Sequence, residues 1–127
     1  MTQNRPTQRP WGSYLVTHEG DGHKTKCITV HPRARLSYQR HQHRNEHWFV
    51  VAGDAEVTVN GQAFRLGPGE CVHIPMQTPH RVANPGPERM VLVEVQTGSY
   101  LGEDDVDRLD DDYGRAPMRE DKDEEHT

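Results

Sequence analysis

Short alternating strands separated by turn residues are the feature of this sequence that most restricts its fold. Ala55–Val59 alternates apolar and polar residues and leads into Asn60-Gly61, the strongest short-range signal for a β-hairpin in the chain. Similar runs recur from Trp11 to Gly98, separated by clusters of glycine, proline, asparagine and aspartate. About eight to ten short strands with little helix predict an all-β sandwich or barrel, and a jelly-roll barrel fits a single domain of this length.

The two ends of the chain differ in composition from its middle. We expect residues 1–10, which are polar and contain two prolines, to form an arm laid on the surface of a barrel at residues 11–115. The barrel is predicted to end in a helical turn at Glu103–Arg115, because acidic residues suit the front of a helix. Residues 116–127 form an acidic tail that we expect to be disordered.

The distribution of charge excludes some classes of partner. Residues 1–102 carry eleven Lys/Arg and eight Asp/Glu, a net charge of +3, and Glu103–Asp112 carries a net charge of −6. No basic helix or Lys/Arg run is present, so we expect no binding to nucleic acid. No apolar run approaches about 18 residues and the first ten residues lack the apolar region of a signal peptide, so we expect no membrane contact and a cytoplasmic location.

Polar side chains with metal-binding potential lie between Ser37 and Gly53. Alternate residues of a strand face the same side, so Gln39, His41 and His43 project together. On the next strand Glu46 shares a face with apolar residues. Such a group is half of a metal site, and the remaining ligand has to come from a distant part of the sequence.

The best candidate for the distant ligand is His80, which begins the run "HRVAN". Glu46 shares its face with Trp48 and Val50, whereas His47 lies on the opposite face. His73 lies within a strand between apolar neighbours and is better explained as a packed or hydrogen-bonded sheet residue.

These two segments resemble the two motifs of the cupin family. In the first motif a His-x-His pair is followed by three or four residues, a Glu, six residues and a Gly. If His41 and His43 formed the pair, only two residues would precede Glu46; with Gln39 as the first member, four residues precede Glu46 and six follow it before Gly53. The resemblance implies four metal ligands: Gln39, His41, Glu46 and His80.

The second motif matches at every spacing, with departures from the family at single positions. Gln77 stands where Gly is usual, and Arg33 replaces the first Gly of the first motif. Gln39 replaces the first His but keeps an oxygen donor. The second-motif residues that match are Gly69, Pro75, His80 and Asn84.

Longer segments are similar to the cupin of type II mannose-6-phosphate isomerases, and the similarity covers about residues 9–115. That module usually forms the C-terminal part of bifunctional enzymes that also carry a mannose-1-phosphate guanylyltransferase. This sequence has no segment similar to a guanylyltransferase, so the resemblance implies no nucleotidyl-transfer activity for it. The similar segments are "RPWGSY", "RLSYQRHQHRNEHWFVVAG", "HRVANPG" and "EVQTGSYLGEDDVDRLDDDYGR".

The resemblance implies a function, a cofactor and a partner. The function is metal-dependent isomerisation between mannose 6-phosphate and fructose 6-phosphate, so the partner is a small-molecule sugar phosphate. The cofactor is one divalent metal ion, and Zn, Mn, Co, Ni and Fe all suit these ligands. Cupins commonly pair through their sheets, so we expect a homodimer.

Isomerisation also needs a base and an anchor for the phosphate. Glu94 lies on a mostly apolar strand face with Leu92, which should raise the pKa of its carboxyl group, and it is the first candidate for the base. His43 is the second candidate. Arg35 and Arg115 are candidates for binding the substrate phosphate, although a surface role for Arg35 and a tethering role for Arg115 stay open.

Two other functions are compatible with the same residues. The first is a non-catalytic or regulatory cupin that contains a metal and binds a sugar. The second is an oxygen-using cupin such as a dioxygenase, against which Gln39 argues because it leaves a site with fewer nitrogen ligands.

Overall fold

The computed structural model describes residues 5–116, and within them the chain is all-β. Antiparallel strands alone form the fold, as expected for a jelly-roll barrel. There is no helix in this range that is long and apolar enough to cross a membrane. The strands are β1 (Thr7–Arg9), β2 (Gly12–Gly20), β3 (His23–Val30), β4 (Tyr38–Arg40), β5 (Arg44–Ala52), β6 (Ala55–Val59), β7 (Gln62–Leu66), β8 (Cys71–Ile74), β9 (His80–Ala83), β10 (Met90–Gly98) and β11 (Asp107–Asp110).

Two antiparallel sheets face each other around the interior. The first sheet has six strands in the order β1-β2-β3-β10-β5-β8, and the second has five in the order β11-β4-β9-β6-β7. Sequence neighbours such as β4 and β5 lie in different sheets, so the chain crosses repeatedly between them. These crossings bring the end of β4, the start of β5 and the start of β9 to one end of the barrel.

The interior of the first sheet is divided along its strands into an apolar end and a polar end. At the apolar end, Leu92 of β10 lies between Ile28 of β3 and Val50 of β5. Two to four residues further along the same strands, the inward side chains become charged or polar and yet remain buried. We define the apolar end by Ile28, Val30, Val50, Met90 and Leu92, and the polar end by Lys24, Lys26, Glu46, Glu94 and Gln96.

Two expectations for the chain termini need correction. The predicted helical turn is wrong: Asp107–Asp110 is strand β11, which pairs with β4 and extends the second sheet. Pairing with an open strand edge outweighs the weak helical preference of the acidic run. The predicted arm is in part the strand β1, which pairs with β2. The tail from residue 117 and the first four residues lie outside the described range, so the predicted disorder stays a prediction.

The motif positions that lack glycine have a strained backbone. Arg33 and Gln77 adopt φ values of 66° and 67°, the left-handed region that glycine adopts most easily. At Gly53, which closes the first motif with φ 81°, an added Cβ would lie 2.9 Å from the carbonyl oxygen of Arg89. Arg33 and Gln77, which stand where the motifs have glycine, therefore keep the turn geometry at an energetic cost.

Candidate metal centre

Three of the predicted metal ligands come together at the polar end. His41 follows β4, Glu46 lies in β5 and His80 begins β9, so the group joins both sheets. One ligand atom from each lies within 4.8 Å of the others, and all three side chains are buried. Two imidazoles and one carboxylate are a donor set that borderline divalent metals accept.

Backbone carbonyl groups orient both imidazole rings. Nδ1 of His41 donates to the carbonyl oxygen of Asp105 at 2.7 Å, and Nδ1 of His80 donates to that of Thr78 at 2.8 Å. Since a carbonyl only accepts hydrogen bonds, each neutral ring carries its proton on Nδ1 and presents the lone pair of Nε2. This is the second-layer support that metal-binding histidines normally have.

The two Nε2 atoms point at the carboxylate of Glu46. Nε2 of His41 lies 3.0 Å from Oε2 of Glu46, and Nε2 of His80 lies 3.7 Å from Oε1. Nε2 of His80 is buried and has no hydrogen-bond partner among the described residues. Burial also lowers the pKa of His80, which keeps its Nε2 free to accept. An unpartnered, buried acceptor of this kind fits a metal ion, so these three residues could hold one.

Gln39 lies next to this group in the second sheet. Its Cα is the direct cross-strand partner of His80, so the two side chains share a face. Its Oε1 accepts a hydrogen bond from the hydroxyl of Ser37 at 2.7 Å. A carbonyl oxygen has two lone pairs, so this bond leaves one available. Gln39 as the fourth ligand stays a prediction.

Arg44 is a component of the site that the sequence reasoning missed. It begins β5, and its buried guanidinium donates from Nε to Oε2 of Glu46 at 2.9 Å. Its Nη2 lies 3.3 Å from Nε2 of His41, and its Nη1 is buried with no hydrogen-bond partner in the described range. Alternation with Glu46, two residues later, was the signal that could have placed Arg44 inside.

Two buried carboxyl groups at this end have opposite pKa shifts. Burial acts to raise the pKa of Glu46, but the neighbouring His41 ring, a hydrogen bond from Glu94 and the His80 ring hold it well below its ordinary value. Burial, followed by the charge of Glu46, raises the pKa of Glu94 well above its ordinary value. Glu94 therefore binds a proton more strongly than Glu46 does, as is common where two carboxyl groups share a site. Gln96 also donates to Glu94, at 3.2 Å.

The segment after β10 closes over the polar end. The carboxylate of Asp105 accepts hydrogen bonds from the backbone N–H groups of Gln42 and His43, at 2.9 and 3.0 Å. Glu103 lies between the buried ammonium groups of Lys24 and Lys26, at 3.2 and 2.8 Å. The acidic run therefore serves partly as a clamp on the barrel, a role that the sequence alone did not reveal.

A cavity at this end is lined by residues of both sheets. It exposes Gln39, His41, Glu46 and Glu94 together with several cationic side chains. Those cationic side chains are Arg9, Lys26, Arg44, Arg108 and Arg115. The cavity therefore combines a buried group that could hold a metal with a basic lining.

The remaining predicted site residues differ in their position relative to this cavity. Arg115 lines it, and Asp111 holds its guanidinium from Nε at 2.8 Å. Arg35 lies outside the lining, where its Nε donates to Asp112 at 2.7 Å. His43 is exposed and lies 3.5 Å from the carboxylate of Asp105. The geometry brings Glu94 and Arg115 to the cavity but not Arg35 or His43, and the roles of all four stay predictions.

The two-sheet barrel with a buried His-Glu-His group defines the class as a double-stranded β-helix, or cupin, protein. The solved structure of KdgF from a Halomonas species matches with a TM-score of 0.71 at 18% identity, covering 81% of this chain and 90% of that chain. CapF from Staphylococcus aureus matches with a TM-score of 0.75 at 18% identity, covering 87% of this chain and 35% of that chain. At such identities the likeness shows the fold alone.

Within that class, the chain belongs to the family described as mannose-6-phosphate isomerase C-terminal, whose sequence model matches residues 1–111. The alginate biosynthesis protein AlgA of Pseudomonas aeruginosa is 51% identical over 116 residues, which are 91% of this chain and 24% of that protein. The mannose-1-phosphate guanylyltransferase ManC of Salmonella typhimurium is 49% identical over 113 residues, which are 89% of this chain and 24% of that protein. The chain thus spans about a quarter of the length of these relatives.

Proposed function

We propose that this protein is a metal-dependent isomerase that interconverts mannose 6-phosphate and fructose 6-phosphate. The observation that carries the proposal is the pair of imidazoles, His41 and His80, whose Nε2 atoms converge on Glu46 beside a basic cavity that His41 and Glu46 line. The family to which the chain belongs supports the choice of reaction. The competing reading as a dioxygenase has no comparable support.

In the proposed enzyme, one divalent ion is held by His41, Glu46 and His80, with Gln39 as the fourth ligand. Such an ion supplies Lewis-acid chemistry, which polarises a carbonyl group and stabilises an adjacent negative charge. Metal-binding groups of mixed nitrogen and oxygen character leave the identity of the ion open among Zn, Mn, Co, Ni and Fe.

Glu94 is the proposed base. Ionised Glu94 removes the proton from C2 of open-chain mannose 6-phosphate and returns it to C1, while the hydroxyl proton on O2 passes to O1. The reverse reaction uses the same group. Because burial and the Glu46 charge raise its pKa, Glu94 binds a proton more strongly than an exposed carboxylate does. His43 is a weaker candidate, since it is exposed and faces Asp105.

Arg44 is proposed to position the sugar oxygens. Its Nη1 is a buried donor that no acceptor of residues 5–116 satisfies, and its side chain lines the cavity beside Glu46. An oxygen on C1 or C2 of the substrate would accept from this atom. A fixed donor there stabilises negative charge that develops on the oxygen during proton transfer.

One observation favours a second function, a non-catalytic sugar-binding cupin. The guanidinium of Arg44 contacts both Oε2 of Glu46 and Nε2 of His41, at 2.9 and 3.3 Å, so it offers these atoms a cation in place of a metal. A barrel that uses Arg44 in this way would bind a sugar without turning it over.

The test is a coupled assay of fructose 6-phosphate formation from mannose 6-phosphate, on chelated protein with single divalent metals added back. We expect turnover that depends on metal. Glu94→Gln should lower kcat by about 10²–10⁴-fold, as expected when a general base is lost. Glu88→Gln, an exposed carboxylate outside the cavity lining, is the matched control and should retain full turnover.

Absence of turnover with every metal would overturn the isomerase proposal. Fructose 6-phosphate binding measured by calorimetry on the same sample then decides the second function. Binding without turnover supports the sugar-binding cupin, and no binding eliminates both.

We also propose a homodimer formed through the outer face of the six-stranded sheet. Phe49 and Val51 of β5 are 45% and 48% exposed on that face, and burying them against a second copy would remove apolar surface from water. Sedimentation equilibrium should give twice the chain mass, and Phe49→Asp should shift it to the monomer. A wild-type monomer at all concentrations would contradict the proposal.

A further inference from the structure

The basic lining of the cavity contains two guanidinium groups that no acidic side chain of residues 5–116 neutralises. Of the five cationic residues in the lining, Lys26 pairs with Glu103, Arg44 with Glu46 and Arg115 with Asp111. Among residues 5–116, no carboxylate pairs with the remaining two, Arg9 and Arg108.

Of these two arginines, Arg108 is the better candidate for binding an anion. Its Nε is buried and has no hydrogen-bond partner among the described residues. Burial lowers the pKa of Arg108, and the positive charges of Arg115 and Arg9 lower it further, although Asp111 acts in the opposite direction. A buried donor in a locally positive field is costly unless an anion is bound there for part of the time.

Arg9 approaches the same cavity from the other sheet. It lies in β1, its Nη2 donates to the hydroxyl of Tyr14 at 3.4 Å, and its guanidinium lies 5.3 Å from the centre of the Tyr14 ring. These contacts orient the side chain without neutralising its charge, so its remaining donors are available to an anion.

The sheet register fixes where Arg108 lies relative to the metal ligands. Arg108 of β11 is the cross-strand partner of Gln39, which is the cross-strand partner of His80. Partners of this kind share a face, so the three side chains form a row toward the interior. Two strand spacings separate the Cα atoms of Arg108 and His80, about 10 Å. An open-chain hexose phosphate with its carbonyl end at His80 is long enough to bring its phosphate to Arg108.

We propose that Arg108 and Arg9 form the subsite that binds the phosphate group of the sugar phosphate. This inference rests on the proposed function for the identity of the ligand, but it assigns the anchor to residues that the sequence did not indicate. Arg108 supplies Nε and a terminal nitrogen as a planar fork, which matches two phosphate oxygens. Arg9 adds a second positive charge from the opposite sheet, and Arg115, already held by Asp111, contributes less.

The test measures binding separately from turnover. Metal-loaded wild type, Arg108→Gln and Arg9→Gln are titrated by calorimetry with fructose 6-phosphate and with inorganic phosphate. Loss of a charge-assisted pair should weaken fructose 6-phosphate binding by about 10–100-fold in Arg108→Gln and by about 10-fold in Arg9→Gln. Arg65→Gln, an exposed arginine on β7, is the matched control and should bind as wild type does.

Two further readouts separate this role from a structural one. The unfolding temperature of Arg108→Gln should equal or exceed that of wild type, because Arg108 makes no ion pair within residues 5–116 that the substitution could break. In the coupled assay, the KM for mannose 6-phosphate should rise more than kcat falls, since the phosphate is remote from the reacting carbons.

The possible results distinguish the two proposals. If wild type binds fructose 6-phosphate tightly without turnover and Arg108→Gln weakens that binding, the isomerase proposal fails and the phosphate subsite stands. If wild type turns over and Arg108→Gln leaves both the affinity and KM unchanged, the subsite is wrong. Failure of wild type to bind either phosphate compound would overturn the subsite as well.

Discussion

The apolar end and the polar end of the barrel are built from the same three strands and differ only in the inward-facing residues. On β10, Met90 and Leu92 give way to Glu94 and Gln96 with no interruption of the strand. Apolar burial at one end stabilises the fold, and this stability permits the other end to bury charged groups that cost free energy. Stability and chemistry are therefore separated along the length of each strand.

His80→Gln tests the polar end and should have the largest effect. The substitution keeps a polar side chain of similar size but removes Nε2, so kcat/KM should fall by about 10³-fold or more. The matched control is His73→Gln, an exposed histidine on the outer face of β8. Equal activity in the two variants, measured in the coupled assay, would contradict the placement of the site.

Leu92→Ala tests the apolar end. Leu92 is 1% exposed, and its truncation leaves a cavity that should lower the free energy of unfolding by about 2–5 kcal/mol. Val91→Ala, the outward-facing neighbour on β10, should cost clearly less in denaturant unfolding. If the two substitutions cost the same, the apolar end would not be the main source of stability.

Each end was predictable from the sequence to a different degree. Strand alternation placed Glu46 and Glu94 inside and His47 outside, and the structure confirms these faces. Alternation within a strand predicts its two faces, but it does not predict which distant strand pairs with it. Arg108 could not be predicted because β11 forms by pairing with β4, and the local sequence of residues 107–110 does not indicate that pairing. Arg44 was missed because charged side chains are seldom buried unless they are paired, and alternation alone does not show that Glu46 pairs with it.

The clamp between Glu103 and the lysines of the polar end should make stability depend on pH. Burial acts to raise the pKa of Glu103, but Lys26 and Lys24 hold it below its ordinary value. A lowered folded-state pKa contributes stability that is present above the unfolded-state pKa and is lost as the pH falls through the folded-state value. Because the Glu103 side chain is 45% exposed, the contribution should be no more than about 1 kcal/mol.

Unfolding of wild type and Glu103→Gln by denaturant across acidic pH checks this contribution. The wild type should be the more stable above about pH 4.3, and the difference should shrink as the pH falls further. The matched control is Glu70→Gln, an exposed carboxylate that is not part of the clamp. A difference between wild type and Glu103→Gln that grows on acidification would contradict the assignment.

Gln77→Gly should have the smallest effect, and a stabilising one. Gln77 has φ 67°, so glycine would relieve left-handed strain and keep the backbone N–H that donates to His41 at 2.6 Å. We expect a gain of up to about 1 kcal/mol in the free energy of unfolding. Gln77→Ala retains the strain and should show no gain, so an equal gain in both variants would exclude strain as the cause.

The central claim is that the polar end holds one metal ion on His41, Glu46 and His80, and a metal count tests it most directly. Wild-type protein is loaded with a single divalent metal, dialysed and analysed by plasma mass spectrometry, with Glu46→Gln and the outward-facing control Glu56→Gln in parallel. The account predicts one ion per chain in wild type and in Glu56→Gln, and almost none in Glu46→Gln. No retained ion in wild type, or an equal count in Glu46→Gln, would contradict it.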